Sequence, residues 1–272
     1  CVDLHAPHGL LDFDRLPSDC NFYEGVYTIP YRCFYSRNIA NLMMAGRDIS
    51  ASRLAMASTR IIGCCASGGE AVGIAAAACL RRGCLPRELT PHIREVQQAI
   101  LRDGGFLPDY RNEDPDDLAR GARLCASSHV PGGKPEQAVN GIARRLGANA
   151  NAWISAGIAP GGETLTMRWD APQTLSQLRF TFHSDFRHPI RITMSPNRQA
   201  QQRPGVPAEL VKDYDVTFKL EGAAVRTLSV RDNHQRLNVL DFDPVRCDCV
   251  ELHCLNTHGV EEITVFEVRA YV

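Results

Sequence analysis

The sequence is short of the features that point to nucleic acid or to a membrane. Its 30 basic and 31 acidic side chains leave a formal net charge of −1, so there is no electrostatic case for a nucleic acid or an anionic lipid surface. The longest apolar run, at residues 71–80, is shorter than the roughly 18 residues of a membrane-spanning helix. No signal peptide is visible. We therefore expect neither a nucleic-acid partner nor a membrane partner.

The eleven cysteines do not fit a metal centre or a disulfide framework. An odd number leaves at least one thiol outside any intramolecular disulfide. Cys64 and Cys65 are adjacent, and Cys247, Cys249 and Cys254 lie too close together on apparent strands for easy pairing. Their spacing matches no standard zinc site. We expect buried free thiols, which favours a reducing compartment such as the cytoplasm.

The most informative stretch runs from Asn41 to Gly83. An apolar run at 39–45 is typical of a strand buried on both faces, although a buried helix has the same signature. A polar loop with small residues follows, and then a glycine-led segment, Gly68-Gly69-Glu70, opens an alanine-rich helix. Glycines at a helix start let backbone N–H groups approach an electron-rich ligand. The physics leaves two interpretations open, a unit that cradles a cofactor and a buried βα connection without a ligand.

The order of residues in this stretch resembles the C-terminal flavin-contacting segment of the FAD-dependent oxidoreductase family. In that family a strand ends in Ala-Gly-Arg and Ile-Ser-Ala follows; a Ser-Thr-Arg segment then leads to a Gly-Glu-Ala-x-Gly helix. All four occur here in that order, from Ala45 to Gly73, and residues 25–32 fit the upstream approach. Residues 25–35 predict a strand interrupted at Pro30. The resemblance covers residues 1–110 and implies an α/β portion of a Rossmann-like FAD-binding domain.

The resemblance also implies which residues meet FAD. The residues expected to line the ribityl and isoalloxazine side are Gly46, Arg47, Asp48 and Ile49. Either Arg47 or Asp48 meets the ribityl chain, because many FAD enzymes have Gly-Asp at this point. Ser58, Thr59 and Arg60 are expected to approach the ring or the substrate. The backbone at Gly68 and Gly69 is expected to place the positive end of a helix dipole near flavin N1 and O2.

The catalytic candidates are Arg60 and His5, which the resemblance implies, and Tyr31, which its position in the sequence suggests. His5 lies in a lead-in segment that the family places near the flavin and the substrate. His5 and His8 with the early aspartates also form a candidate metal or acid–base group, but a surface loop is the favoured interpretation of residues 1–24. Tyr31 lies beside Pro30 and either faces the substrate or packs in the core.

The sequence lacks the G-x-G-x-x-G fingerprint that holds the FAD pyrophosphate. Since it also begins at Cys1, we expect it to be the C-terminal part of a longer enzyme or one chain of a split one. The expected partners are the N-terminal FAD-binding portion of the same enzyme and a small-molecule substrate. A homo-oligomer is an open alternative.

Beyond the organising helix, Thr90 and Pro91 predict the start of a helix that ends before Gly104. Residues 111–123 belong to an acidic, turn-rich stretch that predicts a solvated linker.

From residue 124 short alternating runs predict an all-β sandwich. The predicted strands are Thr164–Trp169, Gln177–Phe182, Ile190–Met194, Tyr214–Leu220, Arg226–Val230, Arg236–Phe242, Cys249–Leu255 and Ile263–Tyr271. Residues 124–272 also resemble a discoidin-type, galactose-binding-like jelly roll. The matching features are Ala126-Ser127-Ser128-His129, Ala138-Val139-Asn140-Gly141, Trp153-Ile154-Ser155-Ala156, Trp169 with Pro172, and Phe266–Tyr271. Trp153 and Trp169 are expected to pack in the core rather than to form a sugar platform.

Two functions are predicted from these features. The first is the C-terminal portion or subunit of a flavin-dependent oxidoreductase, which transfers a hydride from a small, possibly carbohydrate-like substrate to FAD. The second is a non-catalytic module that binds a carbohydrate or a partner chain. The flavin-contact segment favours the first, and the missing pyrophosphate fingerprint favours the second.

Overall fold

The computed structural model describes residues 26–186 and 194–272. The chain divides into two compact units, Cys1–Asn112 and Glu113–Val272. The candidate His5 lies outside the described residues, as do residues 187–193.

Helices dominate the described part of the first unit. The α-helices are α1 (Arg53–Thr59), α2 (Ile62–Arg82) and α3 (Ile93–Arg102), and 3₁₀ turns form at Tyr31–Cys33 and Pro86–His92. Ser52 begins α1 because its hydroxyl accepts a hydrogen bond from Ala55 N at 3.3 Å. Gly83 ends α2 in the left-handed conformation at φ 63°, which glycine adopts without strain. Ala75, Ala78, Leu89 and Val96 form the buried centre of this unit.

Four sequence predictions in the first unit are wrong, two of them about strands and two about helix starts. Residues 39–45 form turns and an isolated bridge between Tyr35 and Met43 instead of a strand. Ile39 and Leu42 are exposed, and a strand buried on both faces needs neighbouring layers that the described residues do not supply. The approach segment has no strand either, since Tyr31–Cys33 is a 3₁₀ turn.

The third correction concerns the start of α2. The helix begins at Ile62, so Gly68 and Gly69 lie in its second turn rather than at its N-terminus. Their N–H groups are therefore inside the helical hydrogen-bond ladder. The alanine-rich run has enough good helix formers to extend the helix over this glycine pair.

Helix α3, in contrast to α2, begins later than predicted. Its N-cap residue is His92, whereas the Thr90 hydroxyl donates to Arg87 O at 2.9 Å within the preceding 3₁₀ turn. Pro91 lies inside that turn, which its fixed φ allows.

Among the described residues one helix, α2, is long and apolar enough to cross a membrane by its length and composition. The apolar run at 71–80 is extended to 21 residues by small residues on its N-terminal side. A single helix of this kind is weak evidence for a membrane span. Its exposed face is available for contact with another protein segment.

The second unit is an antiparallel β-sandwich. Its strands are β1 (Arg123–Ala126), β2 (Trp153–Ile154), β3 (Glu163–Phe182), β4 (Val211–Leu220), β5 (Ala223–Val230), β6 (Leu237–Thr257) and β7 (Thr264–Tyr271). A short helix, α4 (Pro196–Ala200), and 3₁₀ turns at Leu118–Gly121 and Pro135–Val139 connect them. The strand order is β2-β7-β3-β6-β4-β5, and β1 pairs with β3.

The two longest strands organise the sandwich. β3 pairs along its length with β6, and the register shifts between Arg168 and Gln173, where a bulge interrupts the ladder. Such an irregularity bends a strand and increases its twist, which lets one strand serve two parts of a folded sheet. Trp153, Phe180, Phe182, Tyr214 and Phe218 are buried between the layers.

The β-sandwich fold class is confirmed, and the structure changes several strand boundaries. Thr164–Trp169 and Gln177–Phe182 are two parts of β3, and Arg236–Phe242 and Cys249–Leu255 are two parts of β6. β1 and β2 were not predicted as strands because each has at most four residues. Most of the predicted strand Ile190–Met194 lies outside the described residues.

The acidic stretch is not solvated throughout. Asp117 is buried, and its Oδ1 accepts hydrogen bonds from Ala119 N and Ala270 N, both at 3.0 Å. The Tyr271 hydroxyl donates to Asp114 at 3.1 Å. These bonds attach the stretch to β7, so the expectation of a solvated linker is wrong for Asp114 and Asp117.

Candidate functional site

The loop Gly46–Ser52 has two exposed charged side chains and is held in place by a buried residue, Ile49. Gly46 has φ +107°, a conformation that side-chain-bearing residues rarely adopt. Ile49 is buried, and Ser50 N donates to Cys33 O at 2.9 Å, which holds the loop against the Tyr31–Cys33 turn. Arg47 and Asp48 are both exposed. Either can therefore reach a ligand placed over the loop.

The junction between α1 and α2 carries the next group of predicted residues. Thr59 is buried and its hydroxyl donates to Ala55 O at 3.2 Å, so it is engaged within its own helix. The Cys65 thiol donates to Thr59 O at 3.6 Å and joins the two helices. Arg60 is half-buried and is the C-cap residue of α1. The junction therefore places Ser58 and Arg60 directly before the start of α2.

Tyr27 connects this junction to the N-terminal segment, and sequence reasoning missed it. Its hydroxyl lies 2.7 Å from Ser58 Oγ and 3.5 Å from Cys64 Sγ. Desolvation by burial raises the pKa of Tyr27, and the hydrogen bond with Cys64 raises it further. The neutral phenol therefore persists over the ordinary pH range. The only sequence signal for Tyr27 is its place in the approach segment, in which Tyr31 was the predicted site residue.

The first turn of α2 is the part of the helix that can face a ligand. Its N-cap residue, Ile61, supplies no side-chain hydrogen bond, and the first helical bond runs from Cys65 N to Ile61 O. The N–H groups of Ile62, Gly63 and Cys64 thus lie ahead of the ladder. Nothing lies within 4 Å of a Cβ placed on Gly63, so a ligand has room there. The positive end of the dipole belongs to these residues rather than to Gly68 and Gly69.

The two glycines of the predicted pair have different surroundings. Gly68 is buried, and a Cβ there would meet Phe34 Cε1 at 3.0 Å, so its absent side chain allows a close approach to the Phe34 ring. Gly69 is exposed, with nothing within 4 Å of an added Cβ. Gly68 has a packing role in the structure.

Tyr31 is placed in the packing of the first unit. Its hydroxyl donates to Pro86 O at 2.8 Å, and its ring lies 5.2 Å from that of Tyr35. Desolvation raises the pKa of Tyr31, followed by the nearby Cys79. The hydroxyl links two turns of the fold, and the catalytic role expected for Tyr31 remains a prediction.

The loop Gly46–Ser52 and the start of α2 carry groups of the kind that can bind a flavin. The loop offers a guanidinium and a carboxylate, and the uncapped helix start offers backbone donors beside an open glycine. Hydrogen-bond donors and dipole charge of this kind suit the electron-rich N1 and O2 side of the ring. The hydrogen-bond donors of these residues therefore fit a flavin.

Both tryptophans of the second unit are buried. Trp153 Nε1 donates to Ser128 O at 2.9 Å, and Trp169 Nε1 donates to Leu118 O at 2.8 Å. Neither ring can serve as a surface platform for a sugar, in agreement with the expectation that they pack in the core.

Phe186 is the exposed aromatic that sequence reasoning did not single out; 57% of its surface is exposed. The guanidinium carbons of Arg144 and Arg236 lie 4.9 Å and 4.8 Å from its ring centroid. Desolvation lowers the pKa of Arg236 to about 10, and the neighbouring Arg144 lowers it as well. Arg144 and Arg236 are 92 residues apart in the sequence, so no local pattern could have joined them.

Comparison with known proteins gives a family match for the first part of the chain. Residues 1–100 match the sequence model of the family described as FAD dependent oxidoreductase. The resemblance seen in the motifs from Ala45 to Gly73 is thus confirmed. No curated protein matches the chain.

The second unit is similar to several solved carbohydrate-binding modules. One is chitosan-binding module 2 of a chitosanase/glucanase from Paenibacillus sp. IK-5, at 13% identity and TM-score 0.43, covering 57% of this chain and all of the module. A fucose binding module from Streptococcus pneumoniae has 13% identity and TM-score 0.43, covering 57% and 97%. The family 32 CBM of NanJ from C. perfringens has 12% identity and TM-score 0.42, covering 58% and 98%.

Proposed function

We propose that this chain supplies the C-terminal flavin-contacting part of an FAD-dependent oxidoreductase that oxidises a small substrate. The observation that carries the proposal is the junction of α1 and α2, where Tyr27, Ser58 and Cys64 bring the matched motifs together beside an uncapped helix start. In this proposal residues 1–110 belong to the oxidoreductase domain, residues 111–123 connect the domains, and residues 124–272 form the sandwich domain.

The proposed FAD contacts come from the loop and the helix start. Gly46, Arg47, Asp48 and Ile49 would hold the ribityl side, with the charged pair exposed for that purpose. The first-turn N–H groups at Gly63 would take the place that the sequence assigned to Gly68 and Gly69. Bound FAD supplies the hydride acceptor. Ser58 and Arg60 would orient the ring or the substrate.

The N-terminal FAD-binding portion is the proposed partner of α2. Six exposed residues at helical spacing along one face of α2 are small or apolar: Ile62, Ala66, Gly69, Gly73, Ala77 and Leu80. Leu80 is 84% exposed and Ile62 is 79% exposed. Water contact along such a face is unfavourable, and small residues permit a close approach of another element. A second copy of the chain is the alternative occupant.

The proposal is tested by expressing the chain with its N-terminal portion, supplied on the same or a separate chain. We expect a complex with the visible absorption of bound flavin and an intact mass for each chain. Gly73→Leu should weaken the complex, because it places a bulky side chain on the exposed face without entering the core. Glu262→Gln in the sandwich is the control. A complex without flavin, or flavin that no substrate can reduce, would contradict the proposed function.

The second candidate function is a binding module for an acidic carbohydrate or partner, and Phe186 with its two arginines favours it. An exposed ring suits stacking against a sugar face, and guanidinium groups suit a carboxylate. Binding of polygalacturonate to the chain, lost in Phe186→Ala and retained in Val239→Ala, would support it. Equal binding by both variants would contradict it.

A further inference from the structure

A groove of ≈ 660 Å³ lies within the first unit, between the segment after residue 26 and the helices α2 and α3. Its walls are mostly apolar, with Tyr27, Phe34, Val96, Ile100 and Tyr110 among them. Small-molecule sites have volumes of roughly 300–1,000 Å³ and mainly apolar walls with a few placed polar groups. The groove therefore has the size and lining of a ligand site.

Glu70 is the single charged side chain among the described residues that line this groove. It lies on α2, and none of the described residues donates a hydrogen bond to it or pairs with it. Glu70 is exposed, and partial desolvation raises its pKa, followed by the nearby Asp103. A ligand that brings a positive charge into the groove would favour the ionised carboxylate.

The aromatic walls favour the same kind of ligand. Aromatic ring faces attract ammonium and guanidinium groups, and such rings combined with a carboxylate recognise organic cations. One ring of the groove already contacts a cation, since the Arg94 guanidinium carbon lies 5.1 Å from the centroid of Tyr110. Arg94 does not line the groove.

We infer that this groove binds an organic cation with an apolar body, with the ammonium group at Glu70 and the apolar body against Val96 and Ile100. Arylalkylamines and similar amines with a flat ring have this combination of an ammonium group and an apolar body. The inference replaces a carbohydrate-like ligand with an apolar amine for this part of the molecule.

Gly63 and Cys64 line one end of the groove, and they belong to the helix start that we propose to face the flavin. A ligand in the groove would thus lie beside the reacting ring. Binding to the groove does not depend on the proposed function, whereas a role as the substrate site does rest on it.

The test measures binding of 1-naphthylmethylammonium to the 272-residue chain without FAD, by isothermal titration calorimetry at about pH 8, where the amine is protonated. The comparison ligand is 1-naphthylacetate, which has the same ring and the opposite charge. We expect the cation to bind and the anion to bind about tenfold more weakly or not at all, and tenfold corresponds to about 1.4 kcal/mol.

Two pairs of variants locate the site. Glu70→Gln should weaken cation binding about tenfold, and Glu262→Gln, an exposed carboxylate of the sandwich, should leave it unchanged. Ser67→Leu fills part of the groove from an exposed helix position and should also weaken binding. Ala66→Leu adds the same side chain to the neighbouring exposed position, which does not line the groove, and should have no effect.

Absence of cation binding, equal binding of the anion, or equal binding by Glu70→Gln would overturn the inference. Since Ser67 and Ala66 are both exposed on α2, a loss of folding in one variant and not in the other would be visible in their thermal midpoints. If the cation binds as expected but does not reduce the flavin of the assembled enzyme, the groove inference holds and its role as the substrate site fails.

Discussion

The hydroxyl of Tyr27 lies 2.7 Å from Ser58 Oγ, across 31 positions of the sequence. This bond joins the approach segment to the end of α1, and the Cys64 thiol at 3.5 Å from the same hydroxyl extends the link to α2. Three segments that the motifs only place in order are thereby brought to one point. The proposed flavin site depends on this contact.

Tyr27→Phe tests that link. Removal of one hydrogen bond between partly buried groups typically costs about 1 kcal/mol. We expect faster amide hydrogen exchange in α1 and in the first turn of α2, measured by mass spectrometry, and a lower flavin content in the assembled enzyme. Tyr35→Phe is the matched control, because none of the hydrogen bonds assigned in the described residues involves its hydroxyl. Equal exchange in both variants would mean that the Tyr27 hydroxyl does not organise the junction.

Glycine-to-alanine substitutions test the corrected position of α2. Gly69→Ala should stabilise the chain by up to about 1 kcal/mol, because alanine is the better helix former and nothing lies within 4 Å of the added Cβ. Gly68→Ala should stabilise the chain less than Gly69→Ala or destabilise it, since its Cβ would meet the Phe34 ring at 3.0 Å. The readout is the urea midpoint of the first unit's transition. If both alanines destabilise to the same degree, the glycines do not lie in the helix interior as described.

The pH dependence of the sandwich should reflect Asp117. Desolvation raises its pKa from 3.8 to about 6 in the folded protein, against the hydrogen bonds from Ala270 and Ala119 that lower it. The folded state therefore retains a proton that the unfolded state releases, so stability falls as the pH rises from about 4 to about 6 and stays lower above that range.

Asp117→Asn should remove this part of the slope. The amide oxygen can still accept both backbone bonds, and the variant should be more stable than wild type by about 3 kcal/mol at neutral pH. The measurement is the free energy of unfolding by urea at several pH values. A variant that keeps the wild-type slope between pH 4 and 6 would show that another group titrates there.

Arg47→Ala and Asp48→Ala decide which side chain meets the ribityl chain. Both residues are exposed, so neither variant should alter folding. We expect the variant at the contacting position to lower the FAD content of the assembled enzyme by about tenfold, and the other to lower it less. Arg37→Ala is the control, because Arg37 is exposed and its backbone carbonyl accepts the hydrogen bond from Arg87. Wild-type flavin content in both variants would remove this loop from the proposed site.

The sequence was informative where motifs or alternation carry the signal. The motifs from Ala45 to Gly73 predicted the family that residues 1–100 match. The alternating runs after residue 124 predicted the β-sandwich, since a strand with one face in the core repeats every two residues. The burial of Trp153 was also expected from the sequence.

Boundaries were harder to predict because they depend on neighbours. Apolar composition at residues 39–45 is the same for a buried strand and for a turn segment, and only the surrounding layers decide between them. The glycines at 68–69 suggested a helix start, but six residues ahead of Gly68 had already entered the helix. Helix termini in sequences carry weak signals when the capping residue is apolar, as Ile61 is.

The sequence alone predicted the class of each part: a segment whose ordered motifs match the FAD dependent oxidoreductase family, and an antiparallel sandwich with buried tryptophans. Only the tertiary structure decided which side chains meet. The structure brings together residues that are far apart in the sequence. Examples are Tyr27 with Ser58, Glu70 with the apolar residues of the groove, and Arg144 and Arg236 with Phe186. The physical reason is that short-range patterns set helix and strand preference, whereas a site depends on long-range packing that brings distant side chains together.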